Sequence, residues 1–259
     1  MTDTEVRLER HGGTAVITLD APGRRNVLSA AMVAGIGEAF DALEDDPSAK
    51  CVIITGAGAA FCAGADLATL ESAADGDFEP VRTVYEGFLR VLRSPLPSIA
   101  AVNGAAVGAG FNLALACDVR LAGRAARFDT RFSALRLHPG GGHTWLLTRA
   151  VGHQQAVLAC LFGEGWDAQA ALEHGLVAAV HHDSELLPAA LALAGRLDGH
   201  TQDFIRTLTG TLRSAAGNAG YAELLEAETE AQKWSLTTPE FRAGVQEIRE
   251  RLRSPDGRG

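Results

Sequence analysis

The 259-residue chain reads as an α/β protein with a mostly parallel sheet, followed by a helical tail. Short apolar runs such as Cys51-Val52-Ile53-Ile54 alternate with amphipathic helical stretches, the pattern of strands buried on both faces beneath covering helices. Beyond Thr144 the apolar spacing becomes almost purely helical. A composition of 47% hydrophobic and 21% charged residues is that of an ordinary globular protein and excludes disordered and fibrous classes.

Taken in order, residues 6–9 and 14–19 alternate around His11-Gly12-Gly13, which predicts a β-hairpin. Ser29 then precedes an amphipathic helix over 31–44. The run from Cys51 to Gly56 predicts a fully buried strand, closed by Gly56-Ala57-Gly58. A helix over 81–93 leads to a second buried strand over 97–102. Gly108-Ala109-Gly110 opens a helix that runs through Ala116, and 118–122 returns as a strand. One strand-like piece, 176–181, interrupts the helical last third. Asp198-Gly199-His200 places a boundary near residue 198, dividing a body (1–198) from a helical region (199–259). In that tail Phe204, Leu208, Leu212, Leu224, Leu225 and Trp234 recur at spacings that bury one helical face.

The longest apolar runs, 100–107 and 110–117, break at Gly or Asn well short of the roughly 20 residues that span a bilayer. Residues 1–10 are charged and carry no apolar secretory core, so a cytoplasmic location is expected. A net charge of -9 argues against a nucleic-acid partner. Cys51, Cys62, Cys117 and Cys160 lie in apolar segments without CxxC spacing, which predicts buried free thiols and no metal site. Thr55-Gly56-Ala57-Gly58-Ala59-Ala60 follows a strand, but the third glycine of a dinucleotide fingerprint would fall on Phe61.

Four stretches carry a resemblance, in order and at suitable spacing: Arg24-Arg25-Asn26-Val27-Leu28; Phe61-Cys62-Ala63-Gly64-Ala65-Asp66-Leu67; Pro97-Ser98-Ile99-Ala100-Ala101-Val102-Asn103-Gly104-Ala105-Ala106-Val107-Gly108-Ala109-Gly110; and Pro139-Gly140-Gly141-Gly142 leading to Thr148-Arg149-Ala150-Val151-Gly152. Ala171 to Val177 is a weaker echo. Together they resemble the crotonase (enoyl-CoA hydratase/isomerase) superfamily. The resemblance implies a crotonase-like body, a spiral of ββα repeats, with a C-terminal helical trimerisation region, and a homotrimer or a hexamer made as a dimer of trimers. It implies an acyl-CoA ligand, coenzyme A entering as part of the thioester substrate with no permanently bound cofactor. The thioester oxygen would rest between the backbone N–H groups of Ala65 and Ala109. Donors placed where enolate charge develops contribute several kcal/mol each, and a helix N-terminus adds its dipole at Ala109. Arg24 and Arg25 would meet the coenzyme phosphates, with Ala63, Ala65, Asp66 and Leu67 along the adenine and pantetheine. Arg249, Arg251 and Arg253 match the family's basic terminal helix, but no aromatic residue follows Pro255.

Hydratases of that family place two glutamates in this site. Counting along the motifs, those positions hold Asn112 and Phe132. An amide does not titrate usefully and a phenyl ring carries no exchangeable proton. The sequence therefore predicts loss of classical water addition, with the acid/base role moved to Asp129 or His138, His143 being a third candidate. The alternative is a noncatalytic acyl-CoA-binding protein.

Overall fold

The hairpin forms as expected, β1 (Val6–His11) pairing antiparallel with β2 (Thr14–Leu19). The computed structural model describes residues 5–217 and 220–253, and the chain divides into two units, 1–197 and 198–259. The side chains of Leu67, Arg249, Arg251 and Arg253, and all of Pro255, lie outside the described residues.

Within the first unit α1 (Ala30–Glu44) begins at the Ser29 cap, whose hydroxyl accepts the Met32 N–H. Then follow β3 (Cys51–Gly56), β4 (Ala60–Cys62), α2 (Leu67–Ala74), α3 (Glu79–Arg93), β5 (Ser98–Val102), β6 (Ala105–Val107), α4 (Ala109–Ala116), β7 (Val119–Gly123) and β8 (Arg127–Asp129). The unit ends with α5 (His143–Cys160), β9 (Trp166–Asp167), α6 (Ala168–Glu173), β10 (Ala179–His181) and α7 (Leu186–Ala194). A six-stranded sheet has the order β1-β2-β3-β5-β7-β10 and is parallel from β2 onward. A second sheet, β4-β6-β8-β9, was not foreseen, because strands of two or three residues are too short to show alternation. The predicted strand over 176–181 starts only at Ala179. The helical pattern read beyond Thr144 is interrupted at Gly152, whose φ of 79° is not helical.

The main sheet is covered on both faces, as its sequence demands. Val52, Ile54, Ala100 and Val102 pack with Met32, Ile36 and Phe40 of α1 and with Val84, Phe88 and Val91 of α3. Their neighbours Cys51, Ile53, Ile99 and Ala101 point the other way, onto Leu186, Ala190 and Ala194 of α7. Each large apolar side chain so buried contributes roughly 1.5–3 kcal/mol. Cys51, Cys62 and Cys117 are buried and Cys160 half-buried, all as free thiols. In the second unit α8 (Gln202–Ala216), α9 (Tyr221–Leu236) and α10 (Pro239–Arg253) are helical as read. Within this unit Leu208, Leu212, Leu225 and Trp234 are not buried by the packing of the helices on each other. No helix among the described residues is long and apolar enough to cross a membrane.

Asn26 ties the chain after β2 to the β3–β4 turn. Its buried amide oxygen accepts the Ala21 N–H at 2.9 Å, while its nitrogen donates to the carbonyls of Ala57 at 2.9 Å and Ala60 at 2.8 Å. Beside it the Ala63 N–H donates to the Arg25 carbonyl at 3.0 Å and the Leu28 N–H to the Gly64 carbonyl at 2.9 Å. Asn26→Ala strands several buried backbone groups at once, and each orphan costs about 1–3 kcal/mol. Urea titration is expected to show a loss of about 3 kcal/mol; an unchanged midpoint would contradict this anchoring role.

Candidate active site

The loop after β4 and the start of α4 meet almost backbone to backbone. Gly64 has φ +83°, and a Cβ there would lie 2.5 Å from the Val107 carbonyl oxygen and 3.0 Å from the Ala109 nitrogen. Only a residue without a side chain lets these strands of backbone approach so closely. Gly108, with φ 53° and ψ -115°, turns the chain from β6 into α4 and leaves the Ala109 N–H at the first helical position. Such N–H groups have no partner within their helix. Neither the Ala65 nor the Ala109 N–H donates to another group among the described residues.

Both alanines open onto a cavity of about 440 Å³. Leu70, Phe78, Val81, Val84, Leu135 and Leu137 give it apolar walls, and Ala63, Val107 and Gly108 complete the donor end. Asn112, Phe132 and His138 line it too, with Tyr85, Thr130 and Arg131. No carboxylate is among its described lining residues.

The two positions counted for the missing glutamates come together on one residue, His143. Asn112 is 1% exposed, and its amide nitrogen donates to the Gly140 carbonyl at 3.2 Å. Its oxygen must then be the acceptor facing His143 Nδ1 at 2.5 Å, so that nitrogen carries the proton. Phe132 sits edge-on to the same imidazole, with centroids 5.0 Å apart, and Phe111 does so from another side at 5.5 Å. His143 Nε2 is left as a buried acceptor without a partner among the described residues. Burial of this fully enclosed ring lowers its pKa to about 4. It is a neutral strut for Asn112 near pH 7, and its place in sequence gave no sign of that pairing.

The two candidates for a relocated acid/base are placed differently. His138 is exposed at the cavity wall, with Nδ1 2.7 Å from the Pro139 carbonyl. A carbonyl accepts only, so Nδ1 holds a proton, and in the neutral ring the lone pair falls on Nε2. Asp129 is not among the cavity's lining residues. Its carboxylate takes the Arg131 backbone N–H at 2.7 Å and the guanidinium at 2.9 and 2.5 Å. Of the coenzyme candidates, Ala63 and Ala65 line the cavity, and Arg24, Arg25 and Asp66 lie off its lining. Arg24 is paired with Glu5, and Arg25 adopts a left-handed turn at φ 53°. Asp66 caps α2 by accepting the Thr69 N–H at 2.8 Å, and that hydrogen bond, with Arg24 nearby, lowers its pKa. Among the described residues no cluster of His, Cys, Asp and Glu is placed to hold a metal ion.

Over residues 9–256 the sequence matches the family model described as Enoyl-CoA hydratase/isomerase. The chain belongs to this family. The probable enoyl-CoA hydratase EchA14 of Mycobacterium tuberculosis is 46% identical over 237 residues, covering 88% of this chain and 91% of that relative. The 1,2-epoxyphenylacetyl-CoA isomerase of Escherichia coli is 34% identical over 238 residues, 90% of each chain. An enoyl-CoA hydratase structure from Bacillus anthracis superposes with a TM-score of 0.88 at 28% identity, covering 95% of this chain and 96% of its own. A putative enoyl-CoA hydratase from Thermobifida fusca, solved in complex with CoA, gives 0.79 at 31%, covering 90% and 93%. The crotonase-like α/β fold with its C-terminal helices is thus common to the family, whose relatives bear both hydratase and isomerase names.

The lowered pKa of His143 has a consequence for stability. The unfolded chain binds a proton near the ordinary histidine value of about 6.5, while the folded protein resists it down to about 4. The stabilisation is therefore complete above pH 6.5 and is lost as pH falls from 6.5 towards 4. Between pH 7.5 and 5 this linkage amounts to about 2 kcal/mol. His143→Gln is expected to lose less stability than the parent over that interval, by about that amount in urea titrations at the two pH values. Equal losses in the two proteins would show that His143 is not held neutral.

Proposed function

We propose that this chain binds an acyl-CoA thioester with its carbonyl oxygen between the Ala65 and Ala109 N–H groups, and transforms the acyl part without the carboxylate pair of a classical hydratase. The observation that carries the reading is the Gly64 contact, since a Cβ at Gly64 would lie 3.0 Å from the Ala109 nitrogen. Two unpaired N–H groups at one end of an apolar cavity suit an oxygen that gains charge during reaction. The positive end of α4 adds to the effect.

His138 serves as acid/base in this reading, its Nε2 lone pair available at the cavity wall. Asp129 is the weaker candidate, its carboxylate being taken up by Arg131. The coenzyme would lie along Ala63, Ala65, Asp66 and Leu67, with Arg24 and Arg25 near its phosphates; the CoA complex of the Thermobifida relative supports a coenzyme ligand in this fold. No resident cofactor or metal is invoked. A cytoplasmic homotrimer, or a hexamer formed from two trimers, belongs to the same reading and is supported by the apolar residues left exposed on α8 and α9. Binding without catalysis is the second reading, favoured by Asn112 and Phe132 at the two carboxylate positions.

Crotonyl-CoA and longer 2- and 3-enoyl-CoAs, assayed by product analysis beside calorimetric binding, separate these readings. Binding with turnover other than rapid hydration is expected; hydration at ordinary family rates would contradict the roles given to Asn112 and Phe132. Ala109→Pro removes one donor at the first position of α4, and octanoyl-CoA calorimetry on the variant separates loss of the donor from crowding of the ring against Gly64. The variant's kcat/KM is expected to fall by about 100- to 1000-fold, and an unchanged value would remove Ala109 from the site.

A further inference from the structure

We propose that Tyr85 is the catalytic proton donor of this cavity, delivering its phenolic proton to the acyl chain as a bound 3-enoyl thioester becomes the 2-enoyl isomer. The proposal rests on the acyl-CoA reading above and adds to it a residue and a reaction.

Tyr85 stands on α3 among Val81, Val84 and Phe88, which read in sequence as the apolar face of a helix, so nothing there marks it as functional. In space its ring lies edge-on to Phe78, with centroids 6.2 Å apart, and tilted against Phe88 at 5.7 Å. Its hydroxyl is held by the glycine loop between β8 and α5. A Cβ on Gly140 would come within 2.2 Å of the phenolic oxygen, and the neighbouring Gly141 N–H favours the ionised form of that oxygen. The same short loop carries His138 and offers the Gly140 carbonyl to Asn112. One loop therefore gathers a base with a free lone pair, an amide and a phenol at a single cavity whose other walls are apolar.

A phenolic oxygen that accepts a backbone N–H still has its own proton to give, and the same N–H steadies the phenolate left behind. Burial is the larger influence on Tyr85 and raises its pKa, with the Gly141 N–H opposing it. The group is thus protonated at neutral pH, an acid rather than a base.

The proton accounting closes without consuming water or any co-reactant. His138 Nε2 takes a proton from the carbon beside the thioester carbonyl. That C–H bond breaks, and its electron pair passes into a dienolate whose oxygen rests on the Ala65 and Ala109 N–H groups. The γ-carbon of the dienolate then takes the Tyr85 proton. The O–H bond breaks and a C–H bond forms, while the remaining electrons restore the carbonyl and create the 2,3 double bond. The exposed His138 imidazolium exchanges its proton with solvent, and a proton from it restores the phenol.

The test uses 3-octenoyl-CoA in D2O with the full chain and its Tyr85→Phe variant. Isomers are separated by chromatography, deuterium is located by mass spectrometry, and octanoyl-CoA binding is measured by calorimetry. The parent is expected to form 2-octenoyl-CoA carrying deuterium at the γ-carbon. Y85F is expected to bind octanoyl-CoA within about threefold of the parent and to keep exchange at the α-carbon through His138, while γ-deuteration falls by about 100-fold or more. Loss of α-exchange and binding together in Y85F would mark Tyr85 as merely structural and overturn the assignment. A γ-deuteration rate within threefold of the parent would do the same. If the parent binds octanoyl-CoA but does not isomerise 3-octenoyl-CoA, the Tyr85 proposal fails and the acyl-CoA site stands. If the parent does not bind octanoyl-CoA, both fail.

Discussion

Gly64 meets the first turn of α4 at a distance that leaves no space for a side chain, and the rest of the site depends on that approach. It sets the Ala65 and Ala109 N–H groups at one end of the cavity, and it is enforced from below by the pairing of β4 with β6, Ala60 opposite Ala105 and Cys62 opposite Ala106. Asn26 holds the same loop from the other side through the carbonyl of Ala60. Backbone donors fixed in this way need no rotamer to be frozen when a ligand arrives. Their orientation is already set by the packing of α4, whose residues from Gly110 to Ala116 are all buried.

Around those donors the polar chemistry is unusual for a hydratase. Two carboxylates close together at a buried site carry a desolvation cost that a bound water and proton exchange must justify. Here Asn112 and Phe132 both rest on a histidine that burial keeps neutral, so these three residues bring no charge to the cavity. Asn112 is also tied to Gly140, which limits its freedom to hold a water in the manner of a glutamate. Two other polar side chains of the cavity meet at the loop around Pro139, His138 on the loop itself and Tyr85 against Gly140. The proposed function divides the work between a constant carbonyl-polarising element and a movable proton-transfer group. The first is built from backbone geometry, whereas the second depends on one or two side chains.

Much of this was legible in the residues. The hairpin, α1, β3 and β5 follow from alternation and from continuous apolar runs such as Cys51 to Ile54, because burial on both faces leaves few other readings. The close approach of the loops at Gly64 and Gly108 was legible through their glycines and small residues. The second sheet was not, since Ala60–Cys62 and Arg127–Asp129 are too short for any period to show. The pairing of Asn112 with His143 spans 31 positions, and local spacing cannot reveal it. Tyr85 was hidden for the opposite reason, its helical spacing being that of an ordinary core residue. Asp129 looked available in sequence because the left-handed turn at Arg131, which brings the guanidinium back onto it, leaves no compositional mark.

The central claim is that two backbone N–H groups polarise a thioester carbonyl in this cavity. Infrared difference spectroscopy with octanoyl-CoA labelled by carbon-13 at the thioester carbonyl reads that polarisation directly. The labelled C=O stretch is expected to move to lower frequency on binding, and to move less in Ala109→Pro. A bound ligand whose carbonyl frequency equals that in water, or a shift of the same size in both proteins, would contradict it.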